Sequence, residues 1–250
     1  MPWSSVLTVV DLGSVDQDAT PEETVSIIAD PDGESLNMSI IHRTWLKPTK
    51  LEFLTPWLPT RAWYQGGTAT PQLAKAGGFR LDDPEGEVGI EFFVATDAEG
   101  PHAYLVPLTY RSAPLPGADH ALITTLEHGV LGQRWVYDGV HDPVLTGALA
   151  AFFEGRIPAQ AQSTSDALDE EVTHAYAGGA PLLAGEVTVT ETAEGTTLTT
   201  PDGPAVRFDR LLTAVADTPP ADALGHVTGA WTDVEGNRVR GVFAVVEARA

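Results

Sequence analysis

The chain has no cysteine and few basic residues. Without cysteine it can form no disulfide, thiolate nucleophile or cysteine-ligated zinc site. Its 14 Lys and Arg stand against 35 Asp and Glu, a net charge of -21. This balance argues against nucleic acid and membrane as partners, because both are bound by clustered cations. No apolar run is long enough to span a membrane, and we therefore expect a cytoplasmic protein.

Sequence motifs for common catalytic sites are also missing. There is no Gly-x-Ser-x-Gly nucleophile elbow, phosphate-binding loop or dinucleotide fingerprint, so no cofactor is expected. Histidines are concentrated between residues 102 and 141, but no pair has the His-x-His or His-x-x-x-His spacing of a metal site. We therefore expect no metal. A small-molecule enzyme that uses this histidine-rich span remains an alternative without a supporting motif.

The first 37 residues differ in composition from the rest. They contain eight acidic residues and no Lys or Arg. Such unbalanced charge, interrupted by prolines, is typical of disordered segments. We expect residues 1–37 to form an acidic, disordered extension and the ordered protein to begin at Met38.

Most of the remaining chain has the pattern of short strands and turns. Apolar residues alternate from 88 to 94, which predicts a strand with one buried face. Pro107 lies inside the next strand, at 103–111, and predicts an edge or bulged strand because proline has no N–H to donate. One clear helix follows Asp142, a favourable N-cap residue, with Pro143 at its first position.

These patterns predict an α+β fold with two units. Residues 38–158 are expected to form a curved antiparallel sheet with a helix packed across it. Residues 159–180 are polar and small and predict a linker. Residues 181–250 are predicted to form a second, β-rich unit.

The segment from Trp57 to Gly67, called here the aromatic stretch, contains three aromatic residues, one arginine and a Gly-Gly pair. In one interpretation the aromatic rings anchor a helix end in the core, as most aromatic side chains do. In the other, Arg61, Trp63 and Tyr64 form an exposed aromatic and guanidinium surface that suits sugars or planar anions. Composition favours the first interpretation.

Three motifs, in order, resemble the N-terminal cap domain of actinobacterial maltokinases. They are Leu58-Pro59-x-Arg61-x-Trp63-Tyr64-x-Gly66, Tyr104-x-Val106-Pro107-Leu108-Thr109-Tyr110-Arg111 and Trp135-Val136-Tyr137-Asp138-Gly139-x-His141-Asp142-Pro143. The whole chain is similar to the stand-alone cap-like proteins related to this family. It departs from the kinase pattern at Ala62 and Gly67, where the resemblance implies an arginine and a lysine.

Four C-terminal segments follow one another as the strands of a kinase N-lobe do: Leu183-Ala184-Gly185-Glu186, Ala205-Val206-Arg207-Phe208, Leu224-Gly225 and Val242 to Glu247. In this order the C-terminal segment resembles the N-lobe of the same kinases. The resemblance places Arg207 where these kinases have a lysine that holds the nucleotide phosphates. It also places the last residue near the hinge, so we expect the catalytic C-lobe with its His-Gly-Asp-type loop to be missing. A self-sufficient kinase is therefore not expected.

The resemblance implies a non-catalytic cap-like protein, a binding or regulatory module linked to maltose, trehalose or glycogen metabolism. Its partner would be a kinase C-lobe or a sugar-metabolism enzyme. The candidate surface for a ligand or partner is Arg61, Trp63, Tyr64, Trp135, Tyr137 and Asp138. The alternative is the N-terminal half of a split maltokinase-like enzyme, which would need ATP, Arg207 as a nucleotide contact and a separate C-lobe.

Overall fold

The computed structural model describes residues 6–11, 39–162, 167–179, 181–214 and 219–248. Within these ranges the chain forms sixteen strands and two α-helices. The first ten elements are β1 (Val6–Asp11), β2 (Ser39–Thr44), β3 (Leu46–Lys47), α1 (Lys50–Trp57), β4 (Leu73–Leu81), β5 (Gly89–Asp97), β6 (His102–Arg111), β7 (Leu122–His128), β8 (Gly132–Asp138) and α2 (Pro143–Phe153).

The other elements are strands. They are β9 (Gln160–Ala161), β10 (Thr173–Tyr176), β11 (Thr188–Thr192), β12 (Gly195–Thr199), β13 (Ala205–Phe208), β14 (Leu211–Leu212), β15 (Gly225–Thr232) and β16 (Arg238–Glu247). The prediction of a β-rich protein with an antiparallel sheet and few helices is confirmed.

One large sheet contains all strands from β3 to β16. Its main path runs β11-β12-β13-β16-β15-β4-β5-β6-β8-β7-β3, and β10, β14 and β9 pair with β15, β6 and β4 beside this path. Every pairing in it is antiparallel among the described strands. The two units predicted from the sequence therefore share this sheet, and the predicted linker at 159–180 contributes β9 and β10 to it.

The N-terminal strand β1 pairs in parallel with β2 in a separate two-stranded sheet. It lies within the segment for which the sequence predicts disorder. The rest of residues 1–37 lies outside the described residues, so that prediction and the expected start at Met38 stay predictions.

Strand β5 is buried along its whole length, so the prediction of a strand with one buried face was wrong. Phe92 belongs to a core cluster that includes the α2 residues Leu145 and Phe152. Its neighbour Phe93 belongs to a second cluster that includes Leu54 of α1. Because successive side chains of a strand point to opposite faces, the two helices cover opposite faces of the sheet.

Strand β6 is central and pairs with β5 in continuous register, which corrects the prediction of an edge or bulged strand made from Pro107. It lies between β5 on one side and β14 and β8 on the other. The N–H of Leu105 donates to Arg210 O at 2.9 Å, on the side of β14. The nitrogen of residue 107 points to the same side, where pairing with β14 has ended and pairing with β8 begins at Leu108. The missing N–H therefore falls in a gap of the ladder.

Both helices begin with the caps that their sequences favour. Thr49 and Glu52 form a capping box at α1, with Thr49 N donating to Glu52 Oε2 at 2.8 Å. Asp142 caps α2 by accepting a hydrogen bond from Val144 N at 2.9 Å, as predicted. These caps determine where each helix begins. The aromatic stretch starts at Trp57, the last residue of α1.

Candidate functional site

The aromatic stretch leaves α1 through a single turn of 3-10 helix at Leu58–Thr60. Pro59 suits the start of this turn, and Arg61 N closes it by donating to Leu58 O at 3.0 Å. Leu58 and Trp63 are fully buried and pack in the same core cluster as Phe93. The helix end is therefore anchored in the core, as the first interpretation of this stretch predicts.

Trp63 is enclosed by other aromatic rings and by one carboxylate. Its ring centroid lies 6.0 Å from that of Trp57 and 6.1 Å from that of Tyr104. Its indole Nε1 donates to Glu191 Oε1 at 3.2 Å. Glu191 belongs to β11 of the C-terminal segment, so the aromatic stretch contacts a strand that lies 128 residues away in sequence.

Arg210 lies against the ring of Trp63 and is fully buried. Its guanidinium carbon is 5.2 Å from the centroid of Trp63, a cation–π distance. Its Nη2 donates to both carboxylate oxygens of Asp138, at 2.8 and 2.9 Å, and its Nε donates to Thr196 Oγ1 at 2.8 Å. We call Trp63, Asp138, Glu191, Thr196 and Arg210 the junction, because they join residues 57–142 to the C-terminal strands.

Arg61 covers the junction at the protein surface. Its guanidinium carbon lies 4.9 Å from the ring centroid of Trp57, and its Nη1 lies 3.7 Å from Glu191 Oε2. Its side chain keeps about a quarter of its surface exposed. Arg61 is thus the accessible end of a series of side-chain contacts that continues inward through Trp57 and Trp63 to Arg210. We call this series the stack, although the rings of Trp57 and Trp63 meet edge to face.

Tyr64 belongs to a neighbouring group around Tyr104. The two rings stack at 5.4 Å, and the Tyr64 hydroxyl donates to Asp97 Oδ2 at 3.4 Å. Burial and the Asp97 carboxylate raise the pKa of Tyr64. Burial raises the pKa of Tyr104 to about 12, so both hydroxyls stay protonated at neutral pH and neither supplies a base.

Trp135 and Tyr137 lie apart from the junction. They pack with Ala118 and Ala121 in a third, small cluster. The Tyr137 hydroxyl accepts a hydrogen bond from Leu115 N at 2.8 Å, which ties the loop before β7 to β8. Both residues therefore hold this loop in place.

The structure brings together only part of the candidate surface proposed from the sequence. Arg61, Trp63 and Asp138 meet at the junction. Tyr64 packs against the same core cluster as Trp63 through Tyr104, whereas Trp135 lies in a separate cluster. Trp63, Tyr137 and Asp138 are at most 2% exposed, so as surface residues they were predicted wrongly. Trp63 and Asp138 are buried because Glu191 and Arg210 of the C-terminal segment cover them, and Tyr137 is buried because it packs against the loop before β7.

Arg207, the candidate nucleotide contact, is held by two carboxylates. Its Nε donates to Glu247 Oε1 at 2.9 Å, and its Nη1 pairs with Asp209. Burial alone would lower the pKa of Arg207, but the hydrogen bond with Glu247 and the charge of Asp209 raise it. The guanidinium charge is therefore balanced within the protein.

Sequence reasoning missed Arg210, Glu191 and the pairing of two histidines. His120 Nε2 and His141 Nδ1 are 3.3 Å apart beside the junction. Burial lowers the pKa of His141, and the nearby charges of His120 and Arg210 act in the same direction, against Asp138 and Glu191. The only local signal for Arg210 is an arginine between two apolar strand segments, Ala205–Phe208 and Leu211–Leu212.

The described part of the chain contains no cluster of three or more His, Asp or Glu side chains placed to hold a metal ion. At the junction the buried charges of Arg210 and Asp138 are paired with each other, and the exposed end of the stack carries an arginine and aromatic rings. Such a site can hold two parts of a protein together and can contact a partner, since Arg and aromatic side chains dominate binding energy at interfaces.

The fold and this site define a β-rich module in which a buried ion pair joins residues 57–142 to the C-terminal strands. Residues 57–142 match the family model of the maltokinase N-terminal cap domain, which confirms the resemblance seen in the sequence over that segment. Among curated proteins, none matches the chain. No helix in the described ranges is long and apolar enough to cross a membrane.

Proposed function

We propose that the chain is a non-catalytic cap-like module that binds and regulates an enzyme of maltose, trehalose or glycogen metabolism in the cytoplasm. The match of residues 57–142 to the maltokinase cap supports the link to this metabolism. The junction supports a binding role, because its buried ion pair fastens residues 57–142 to the strands that follow. The proposal depends on this ion pair, because it holds residues 57–142 and the C-terminal strands together so that they can present one surface to a partner.

The partner surface under this proposal is the exposed end of the stack. Arg61, Trp57 and Tyr64 keep part of their surface accessible while their inner faces are packed. Rigid aromatic and guanidinium groups of this kind lose little conformational entropy on binding. We therefore assign the partner contact to Arg61 and Tyr64.

A binding measurement with a maltokinase from the same genome tests the proposal. We expect a complex by sedimentation velocity, and at least tenfold weaker binding for Arg61→Ala, about 1.4 kcal/mol. Arg156→Ala is the matched control, because Arg156 is more exposed and pairs only with the nearby Glu154. Absence of a complex, or equal affinity of both variants, would contradict the proposal.

The alternative of a split maltokinase-like enzyme has less support. It needs the C-terminal segment to act as a kinase N-lobe and Arg207 to meet nucleotide phosphates. In the structure this guanidinium already forms ion pairs with Glu247 and Asp209. Calorimetry with Mg·ATP distinguishes the two functions: we expect no heat of binding, whereas binding that is lost in Arg207→Met would favour the split kinase.

A further inference from the structure

Two histidines that lie 21 positions apart in the sequence meet beside the junction, and we call them the histidine pair. His120 Nε2 and His141 Nδ1 are 3.3 Å apart, and the two rings meet edge to face with their centroids 4.8 Å apart. His120 is exposed and His141 is half-buried, so the pair can be reached from solvent. The spacing rules for metal sites compare positions along one helix or strand, and they cannot detect a pair that forms between two turns.

The backbone at His120 is fixed although its imidazole is exposed. This residue lies in a turn of 3-10 helix, Asp119–Ala121. The N–H of Ala121 donates to Ala118 O at 2.9 Å. Both alanines are buried in the small cluster that contains Tyr137. The imidazole is therefore carried by a turn that is anchored in the protein on both sides.

His141 ends a second turn of 3-10 helix and lies between two aspartates that are held by arginines. On one side, Asp138 accepts hydrogen bonds from Arg210 Nη2. On the other, Asp142 accepts from Arg111 Nε at 2.6 Å and from its Nη2 at 2.7 Å. The backbone of His141 is thus fixed on both sides, and a site with fixed ligands loses less entropy when it binds.

The separation of the two ring nitrogens suits a shared metal ion. Zn²⁺ binds imidazole nitrogen at about 2.0–2.1 Å, and two ligands of a tetrahedral ion at this distance lie about 3.3–3.4 Å from each other. Hydrogen bonds from N–H donors are commonest at about 2.9–3.0 Å. The 3.3 Å between the rings is therefore long for the hydrogen bond that one imidazole can donate to the other.

The charges around the histidine pair are compatible with a bound cation. Asp138, Glu191 and Arg210 all lie near enough for their charges to act on His141. Asp138 and Arg210 form an ion pair and largely cancel each other. The ion-pair partner of Glu191 is Arg61, at 3.7 Å and partly exposed, so the Glu191 carboxylate leaves some negative charge beside the pair.

We propose that His120 Nε2 and His141 Nδ1 bind a divalent transition-metal ion that prefers imidazole, such as Zn²⁺. The proton between the two rings moves through water to the other nitrogen of its own ring, which leaves both ligating nitrogens unprotonated. Water completes the coordination, because the described residues place no third His, Asp or Glu in this group. The ion links the turn before β7 to the turn before α2. This site does not use the partner contact at Arg61, so it does not depend on the proposed function.

Calorimetric titration of the full chain with ZnCl₂ at neutral pH tests this site. The solution contains excess MgCl₂, because the chain has 35 Asp and Glu and Mg²⁺ competes for carboxylates but not for imidazole. We expect Zn²⁺ to bind, and at least tenfold weaker binding in His120→Gln and in His141→Gln. His102→Gln is the matched control, because His102 is a half-exposed histidine outside the pair, and it should keep the native affinity.

Nuclear magnetic resonance of the imidazole groups identifies the ligands directly. The chain has seven histidines, and Zn²⁺ should shift the resonances of two of them, those that are missing from the spectra of His120→Gln and His141→Gln. Because His120 is exposed, its variant should fold, and an unchanged circular dichroism spectrum checks this. The proposal is overturned if Zn²⁺ does not bind at about 1 mM, if His120→Gln binds it as tightly as the native chain, or if other histidines shift instead.

Discussion

Among the residues that the structure describes, two ion pairs are almost completely buried, and they are built in opposite ways. Lys50 and Glu91 are each 3% exposed, and Arg210 and Asp138 are 0% and 2% exposed. In the first pair the anion has the larger set of partners, because Glu91 also accepts from Tyr110 and Gln162. In the second the cation does, because Arg210 also donates to Thr196 Oγ1 and lies beneath Trp63.

This difference determines what remains when one partner is removed. A carboxylate that loses its cation can take up a proton and become neutral. A guanidinium that loses its carboxylate stays charged at any pH at which the protein folds. The Arg210 pair should therefore be the more sensitive of the two, and its loss should not be relieved by acid.

The largest effect is predicted for Asp138→Ala. This change leaves Arg210 charged and buried with only neutral acceptors, so we expect a loss of about 3–5 kcal/mol in the free energy of unfolding. Equilibrium urea denaturation measures it. The double variant Asp138→Leu with Arg210→Met removes both charges and should recover much of the loss. Equal instability of the single and double variants would contradict the role assigned to the unpaired charge.

A smaller effect is predicted for Lys50→Met. Glu91 keeps its hydrogen bonds from Tyr110 and Gln162, so we expect a loss of about 1.5–3 kcal/mol, the range for a hydrogen bond to a charged group. Urea denaturation at neutral pH measures this loss, with Lys47→Met as an exposed lysine control.

The pH dependence of the Lys50 variant sharpens the comparison. Burial alone would raise the pKa of Glu91, but Lys50 and the hydrogen bonds to the carboxylate lower it below 4.5. In the native protein this group therefore contributes stability above its unfolded pKa, and the contribution is lost as the pH falls through the lower folded pKa. Without Lys50, burial is no longer offset by that charge and the pKa of Glu91 rises. The deficit of Lys50→Met should then shrink at acid pH, while that of Asp138→Ala should not.

Local features of this fold could be predicted from the sequence, and long-range partners could not. The cap at Asp142 depends on a residue two positions away and was predicted from the sequence. Arg210 and Asp138 are 72 positions apart, and no local rule connects them. Trp63 and Asp138 were predicted as surface residues because the C-terminal residues that cover them cannot be located from composition or spacing.

The incorrect predictions for β5 and β6 have the same cause. Glu91 interrupts the apolar run of β5 and suggests a face in solvent, but Lys50 of α1 neutralises it inside the protein. The prediction from Pro107 assumed that every N–H inside a central strand must pair with a neighbouring strand. The nitrogen of residue 107 instead faces the gap between the pairing with β14 and the pairing with β8. In both cases the deciding group belongs to another element of the fold.

A weak effect is predicted for Arg61→Ala, at the exposed end of the stack above Arg210. Its carboxylate partner is 3.7 Å away and both side chains are about a quarter exposed, so solvent screens the pair. We expect a loss of at most about 1 kcal/mol in unfolding free energy, smaller at high salt. Thermal melts at low and high salt measure it, and a loss as large as that of Asp138→Ala would show that Arg61 is part of the buried junction.

The smallest effect is predicted for His141→Gln and concerns pH alone. Burial lowers the pKa of His141 below 6.5, as do the charges of His120 and Arg210, while Asp138 and Glu191 oppose the shift. The unfolded chain therefore binds this proton more readily, so the native protein loses stability as the pH falls through about 6.5. Melting temperatures at pH values above and below this point should differ less in His141→Gln than in the native protein. His102→Gln, away from the junction, should leave the difference unchanged. If His102→Gln reduces it as much, the pH dependence does not arise beside the buried Arg210 pair.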